Sequence, residues 1–354
     1  MPPRLRQAVH SYSCSYSARP APSHWETMVA ATRRSTRGGR GQLYHTHAPP
    51  SLPVGTLALN WVQLVLAPLP AVLVARAWAL GGAAPTPFTA ANLLLGGSLV
   101  LGWVASLLQG STWLIDPFWV FVITGLDRFY AAACPGTGAT SPRATLISGL
   151  TALWAVRLQH SYFRRERWRP GAREDWRYAE MREAMHPAAW AAASLVVVYA
   201  LQQGLLVGLA LPHYASRCVD EVAATGLALR DGASVVAALA GLALAKAADD
   251  QLFAYGASSK KAIILDTGVW GLSRHPNYVG ETLFWWGLAS LAAVRSGGGG
   301  HHWWVLAGAV VNTACLAGVT VMTEERTARK PGRSAAWAAY CARVPCWVGV
   351  RRET

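Results

Sequence analysis

The chain has 354 residues, 53% of them hydrophobic and only 14% charged, with 17 Trp and a formal net charge of +14. Its charge lies well below the ~25% of soluble domains, and apolar runs near the ~20 residues a bilayer requires recur along it. This excludes two or three soluble domains. It also makes the basic excess a matter of membrane topology and phosphate binding, with no nucleic-acid partner expected.

Residues 1–54 stand apart. They carry seven Arg and a single acid, Glu26, among many Ser and Thr. That composition fits an organelle transit peptide or a disordered tail, and it lacks the apolar core of a secretory signal. From residue 55 onward the chain reads as one transmembrane domain. Candidate spans run over 56–80, 90–110, 117–134, 144–162, 188–211, 233–252, 278–295 and 303–323. Pro68 and Pro70 kink the first, and Asp127 and Arg128 place the third partly at the interface. The expected fold is an all-α, polytopic transmembrane bundle of seven or eight spans. It is multi-pass in the lipid bilayer of a plastid or mitochondrion if the N-terminus is a transit peptide, and of the endoplasmic reticulum otherwise.

Loop charge orients the bundle. Segments 164–187 and 255–276 are each net +2 and the tail 324–354 is net +4, whereas 212–232 is net −1. Two spans separate each basic segment from the next, so all three share one face. That face also carries most of the polar motifs.

In chain order, the first motif is QGSTWLIDPFW, 109–119. Asp116 before Pro117 reads as a helix cap, and Asp116 and Trp119 are the candidate substrate contacts. In the stretch Trp154–Glu183, Arg157 is an intramembrane cation that needs a partner. Glu174, Asp175, Arg177 and Tyr178 follow as EDWRY, and guanidinium groups there suit phosphate oxygens. Lys246 and Asp250 lie four apart on a helix, the spacing of an internal ion pair. Alternatively, Asp250 faces a ligand. The densest motif is Asp266–Gly287, DTGVWGLSRHPNYVGETLFWWG. Pro276 suits a first helical turn, and His275 before it lies just outside the helix. Asn277 and Glu281 share a helix face with Tyr278 nearby, so Arg274, His275, Asn277, Tyr278 and Glu281 converge on one ligand. The plain alternative is an aromatic, basic anchor at a helix end. Glu324 and Glu325 end the last span as a solvated terminus. Six Cys form no CxxC pair and have no His at ligand spacing, so neither a disulfide framework nor a metal site is expected. His301 and His302 fall in a glycine-rich linker.

Together these stretches resemble the membrane family that carries the steroid 5-alpha-reductase C-terminal domain, in its broad bacterial and plant branch. The resemblance covers about 110–340. It rests on WxxRL at Trp154 to Leu158, the EDxRY run Glu174 to Tyr178, Asp250-Gln251 ahead of Phe253, and SRHPNYxGE at Ser273 to Glu281. The sterol C14 and C7 reductases share SRHPNY. The resemblance implies NADPH-dependent reduction of a carbon–carbon double bond conjugated to a carbonyl in a lipophilic substrate. It assigns Arg274, His275, Asn277, Tyr278, Glu281, Asp250, Arg177 and Tyr178 to the cofactor, with Tyr278 and Glu281 the candidate catalytic groups. The steroid enzymes themselves lack the Arg-His-Pro lead-in. Their N-terminal acid pair aligns with nothing here, so no proton donor is carried over. Isoprenylcysteine and phospholipid methyltransferases, which use S-adenosylmethionine, also resemble this half through RHPxY at Arg274 to Tyr278 and the pair Glu324/Glu325. A third alternative is a sterol-binding scaffold without enzymatic activity.

Overall fold

The computed structural model describes residues 52–66, 86–136, 141–224, 226–258, 263–293 and 302–349. The N-terminal extension up to residue 51, the Pro68/Pro70 kink, the glycine run 297–300 and His301 fall outside them. All regular secondary structure among the described residues is helical. In chain order the main helices are α1 (Val54–Leu66), α2 (Pro87–Gln109), α3 (Ile115–Ala133), α4 (Pro142–Arg165), the short α5 (Trp176–Ala184), α6 (Pro187–Cys218), α7 (Leu229–Ala257), α8 (Pro276–Ala292), α9 (Ala307–Ala328) and α10 (Ser334–Arg343). Each candidate span coincides with one of these helices, the first only as far as Leu66.

The boundaries follow local chemistry. Thr86 and Ser141 accept the first free N–H groups of α2 and α4, and each is followed by a proline at the first helical position. Gly110 closes α2 in the left-handed region at φ 64°. Helix α6 is irregular, with a π-helical stretch over Leu195–Ala200 ahead of a regular segment to Cys218.

Among the described residues, four helical segments, Pro87–Gln109, Pro187–Cys218, Leu229–Ala257 and Trp303–Ala328, are long and apolar enough to cross a membrane. They mark the chain as an integral membrane protein, with large apolar side chains such as Leu101, Val196, Val236 and Val311 turned outward toward lipid.

Small residues set the helix crossings, as expected where lipid is as apolar as a side chain. Ala238, Gly241 and Ala245 on α7 meet Gly280 and Gly287 on α8, backbone against backbone. At the α6–α9 crossing, Gly208 and Gly308 touch through main-chain atoms, so a side chain at either would strike backbone. Gly308→Leu is therefore expected to destabilise the protein by at least ~3 kcal/mol, the upper range for overpacking, because no flexible side chain can yield. Thermal unfolding in detergent checks this, with Gly318→Leu as the near-neutral control, since Gly318 has open space around its Cα.

Away from the basic face, Asp127 is buried inside the bundle; its carboxylate accepts hydrogen bonds from Arg217 (3.0 Å) and Ser148 (2.9 Å), and its other partner Arg128 reaches solvent. A disulfide does form. Cys134, just beyond α3, bonds Cys218 at the end of α6, with Cα atoms 5.3 Å apart. Its 84-residue separation left no spacing signal. A second buried pair, Arg143 with Asp231 (3.0 Å), ties α4 to α7 at this end of the bundle.

Candidate functional site

The three basic segments do share one face. Arg164 of α4 pairs with Asp250 of α7, Arg326 of α9 with Glu180 of α5, and Arg343 of α10 with Asp266 ahead of α8. Within that layer the loop before α8 is held from two sides. From α7, Gln251 Oε1 accepts the Val269 N–H (3.1 Å), and the Ala248 carbonyl accepts from Trp270 Nε1 (3.1 Å). Gly268 lies at φ 59°, tight against the Gln251 side chain. From the tail, Tyr340 Oη donates to the Trp270 carbonyl (2.6 Å), Ser273 Oγ donates to Cys346 O (3.2 Å), and the Arg274 N–H donates to Pro345 O (3.0 Å).

So held, Arg274 and His275 both turn onto Glu324 of α9. The Arg274 guanidinium forks onto the carboxylate at 2.8 and 3.3 Å and also donates to the Val344 carbonyl (2.8 Å). His275 Nε2 lies 3.1 Å from Glu324 Oε1, and its ring stacks on Tyr278 with centroids 5.2 Å apart. Burial opposes charge on Arg274, but the bonded Glu324 outweighs it and holds the guanidinium pKa above its ordinary value. Glu324 is thus a gripping residue at the centre of the motif, not the solvated terminus expected. Its neighbour Glu325 does face solvent, paired with Arg329.

His275, Glu324 and Cys346 place their donor atoms within 4.8 Å of one another. The set fits a cation poorly. Arg274 already balances the carboxylate. Burial and the adjacent Glu324 push the Cys346 thiol up to about 11, away from the thiolate a metal takes.

One turn further along α8, Glu281 is gripped as tightly. It accepts from Trp154 Nε1 (2.5 Å), Trp285 Nε1 (3.2 Å) and the Arg157 guanidinium. Arg157 also pairs with Asp249 (2.9 Å), so the intramembrane cation finds two acids. Asp250 behaves as its helix spacing indicated, pairing with Lys246 (2.5 Å) and with Arg164 (2.6 Å) at the surface. The acid turned inward is its neighbour Asp249.

The EDWRY stretch supplies the third wall. Glu174 accepts from the backbone N–H and hydroxyl of Thr112, both at 2.8 Å, and from Arg182 (2.7 Å). Asp175 caps α5 through the Arg177 N–H (2.9 Å) and binds the Arg177 guanidinium (2.7 Å). Burial raises the Asp175 carboxyl, but the bonded Arg177 prevails and holds it below the usual carboxylate range. Tyr178 is buried, and its Oη accepts from Gln202 Nε2 (2.9 Å). Asp116 is no cap. Helix α3 has Leu114 at its N-cap position with no side-chain cap bond, and Asp116 looks instead toward Asp175, Arg165, Arg177 and Glu166. Trp119 packs at the edge of the hydrophobic core.

These walls meet at Tyr278, whose electrostatic neighbours are Arg177, Asp175 and Asp249, with the Thr323 hydroxyl bonded beside it. On the same helix, Asn277 Oδ1 and Thr282 Oγ1 are buried with no hydrogen-bond partner among the described residues. Of the residues singled out by sequence, Arg177 thus lies within electrostatic reach of both Tyr178 and Tyr278, and Asn277 stands next to Tyr278 on α8. Arg274, His275 and Glu281 brace the α8 side of this group, and Asp250 stands at the surface. Beside Trp176, over which Arg326 stacks at 4.5 Å, lies a basic cluster. Burial and the flanking Arg326 and Arg333 bring Lys330 down to about 8.

Comparison with known proteins gives one curated relative, the "Uncharacterized protein C594.04c" of Schizosaccharomyces pombe. It is 25% identical over 232 residues, covering 59% of this chain and 66% of the relative's own length. No solved structure matches the chain significantly. Residues 102–344, from within α2 to the end of α10 and so spanning every wall of the site, match the family described as "Protein of unknown function (DUF1295)", and the chain belongs to that family.

Proposed function

We propose that the protein is a membrane-embedded, NADPH-dependent reductase of a carbon–carbon double bond conjugated to a carbonyl in a lipophilic, steroid-like or other lipid substrate. The observation that supports this reading best is the junction at Tyr278. Three polar walls meet there, and an amide carbonyl, Asn277 Oδ1, is buried without a partner. A buried acceptor left unbonded costs about 1–3 kcal/mol, and a ligand N–H such as a carboxamide satisfies it. The cluster of Arg326, Lys330 and Arg333 offers the matching place for phosphates.

When bound, the nicotinamide supplies the hydride for the β-carbon. The chain supplies the rest. Asn277 and Tyr278 orient the ring, and Arg177, fixed by Asp175, takes a phosphate or ribose oxygen. Arg274, His275 and Glu324 clamp the α8 N-terminus so that these groups keep their geometry. Arg157 and Glu281 hold α4 against α8 behind them. In this reading the bundle has seven or eight spans, with α3, α4, α8 and the α1 segment crossing alongside the four long apolar helices. The membrane is that of a plastid, mitochondrion or endoplasmic reticulum.

Turnover tests the reading. Detergent-purified protein is expected to oxidise NADPH when given conjugated enone steroids or long-chain enones, and not their saturated analogues. No enone-dependent oxidation across such a panel, by protein that binds NADPH, would contradict it. Binding itself carries a further signature. Phosphates beside Lys330 raise its pKa from about 8, so NADPH binding should take up roughly half a proton at pH 8, where Lys330 is half protonated, and almost none at pH 6, measured as buffer-dependent binding heat.

The grip of Arg274 and His275 on Glu324 joins the two elements shared with the methyltransferases. It supports S-adenosylmethionine-dependent lipid or isoprenylcysteine methylation as a second reading.

A further inference from the structure

Tyr178 and Gln202 form a polar pair inside the bundle whose hydrogen bonding is incomplete. Gln202 Nε2 lies 2.9 Å from Tyr178 Oη, and Gln202 Oε1 is buried with no partner among the described residues. With the amide nitrogen toward the phenol, the O–H proton of Tyr178 and the Gln202 carbonyl are unused. The pair thus presents a spare phenol donor to the interior, at the cost of burying polar groups unsatisfied.

A second, independent feature lies on α6. The π-helical stretch Leu195–Ala200 ends two residues before Gln202. An inserted π turn shifts the phase of everything beyond it, and such insertions concentrate at functional sites. Here it sets which residue of the following segment faces α5, and Gln202 is that residue. The surroundings suit a lipid tail with one polar oxygen. Val198, Leu205, Leu206 and Met181 pack in the same hydrophobic core, and Asp116 and the Arg177–Asp175 pair lie within electrostatic reach of the phenol. Burial pushes the Tyr178 hydroxyl up to about 12, so it stays a protonated donor across the physiological range.

We infer that Tyr178, backed by Gln202, donates the hydrogen bond that receives the carbonyl oxygen of the lipophilic substrate. The inference rests on the reductase reading for its chemical consequence. A donor fixed on that oxygen stabilises the negative charge that develops there as hydride from NADPH adds to the β-carbon; NADP+ is left, and the α-carbon of the enolate then takes a proton from water. It moves Tyr178 from the cofactor's wall to the substrate's.

The probe is trans-3-hexadecen-2-one carrying ¹³C at its carbonyl, added to the full chain in lipid nanodiscs and followed by difference infrared spectroscopy. With wild type, the C=O stretch should fall below that of the same ketone in empty nanodiscs. In Tyr178→Phe the downshift should vanish and ketone affinity drop about tenfold, the effect of losing one hydrogen bond of ~1.4 kcal/mol, with NADPH affinity unchanged. Gln202→Leu provides a second readout should Tyr178→Phe fold poorly, and it should reduce the downshift. A wild type without any downshift, or a downshift retained in both folded variants, overturns the inference. Retained carbonyl recognition in a protein that binds no NADPH upholds the donor and overturns the reductase reading instead.

Discussion

Arg157→Met is expected to destabilise the protein by about 3–5 kcal/mol, the cost of removing one member of a buried ion network and leaving its partners charged and unpaired. Arg157 is 9% exposed and bridges Glu281 on α8 to Asp249 on α7, so its loss leaves two carboxylates facing each other between three helices. Replacing all three with apolar residues, Arg157→Met with Asp249→Leu and Glu281→Leu, should recover much of that stability, because desolvating the ions consumes most of their mutual attraction. Thermal unfolding of the purified single and triple variants checks both. Equal destabilisation by the two would show that packing volume, not charge, decides. The same geometry governs Glu281→Gln. Three donors already occupy that carboxylate, so the substitution weakens the α4–α8 contact first and affects cofactor binding only through it.

Glu324→Ala is expected to weaken cofactor binding about 100-fold, a loss of ~2.7 kcal/mol. It frees the Arg274 guanidinium and the His275 ring at once, and both fix the first turn of α8, where Asn277 and Tyr278 sit. Glu325→Ala, one residue on, should change affinity and stability little, within ~0.5 kcal/mol, because that side chain is exposed and paired only with Arg329. Titration of both variants with NADPH distinguishes the two glutamates. Equal losses would remove Glu324 from the account. Acid should act at the opposite wall. The Asp175 carboxyl is depressed in the folded protein, so its contribution is complete above the ordinary carboxylate pKa of ~3.9 and is lost as pH falls through the lower folded value.

Much of the frame was legible in the chain because one-dimensional rules govern it. Apolar length placed the helices, proline placed the start of α8, and the cost of an isolated guanidinium in lipid required partners for Arg157. What escaped depended on helix phase or on distant pairing. Asp249 and Asp250 are adjacent in sequence yet point ~100° apart, and the small-residue stripe of Ala238, Gly241 and Ala245 decides which turns inward. Glu324 lies 50 residues from Arg274, and only the methyltransferase-like pairing of the two motifs pointed to it. Cys134 and Cys218 meet because α3 and α6 end at the same level, which no cysteine spacing reports. Asp116 looked like a cap because it precedes proline. The helix starts at Ile115 instead and leaves its carboxylate to the interior.

The most direct test of the central claim is the thermal shift of the detergent-purified full chain with NADPH and, separately, with S-adenosylmethionine. The account predicts stabilisation by NADPH alone, worth about 2.7 kcal/mol at one hundred times its Kd, and loss of that shift in Glu324→Ala. Stabilisation by S-adenosylmethionine alone would contradict it and make the site that of a methyltransferase. Stabilisation by neither would contradict both enzymatic readings.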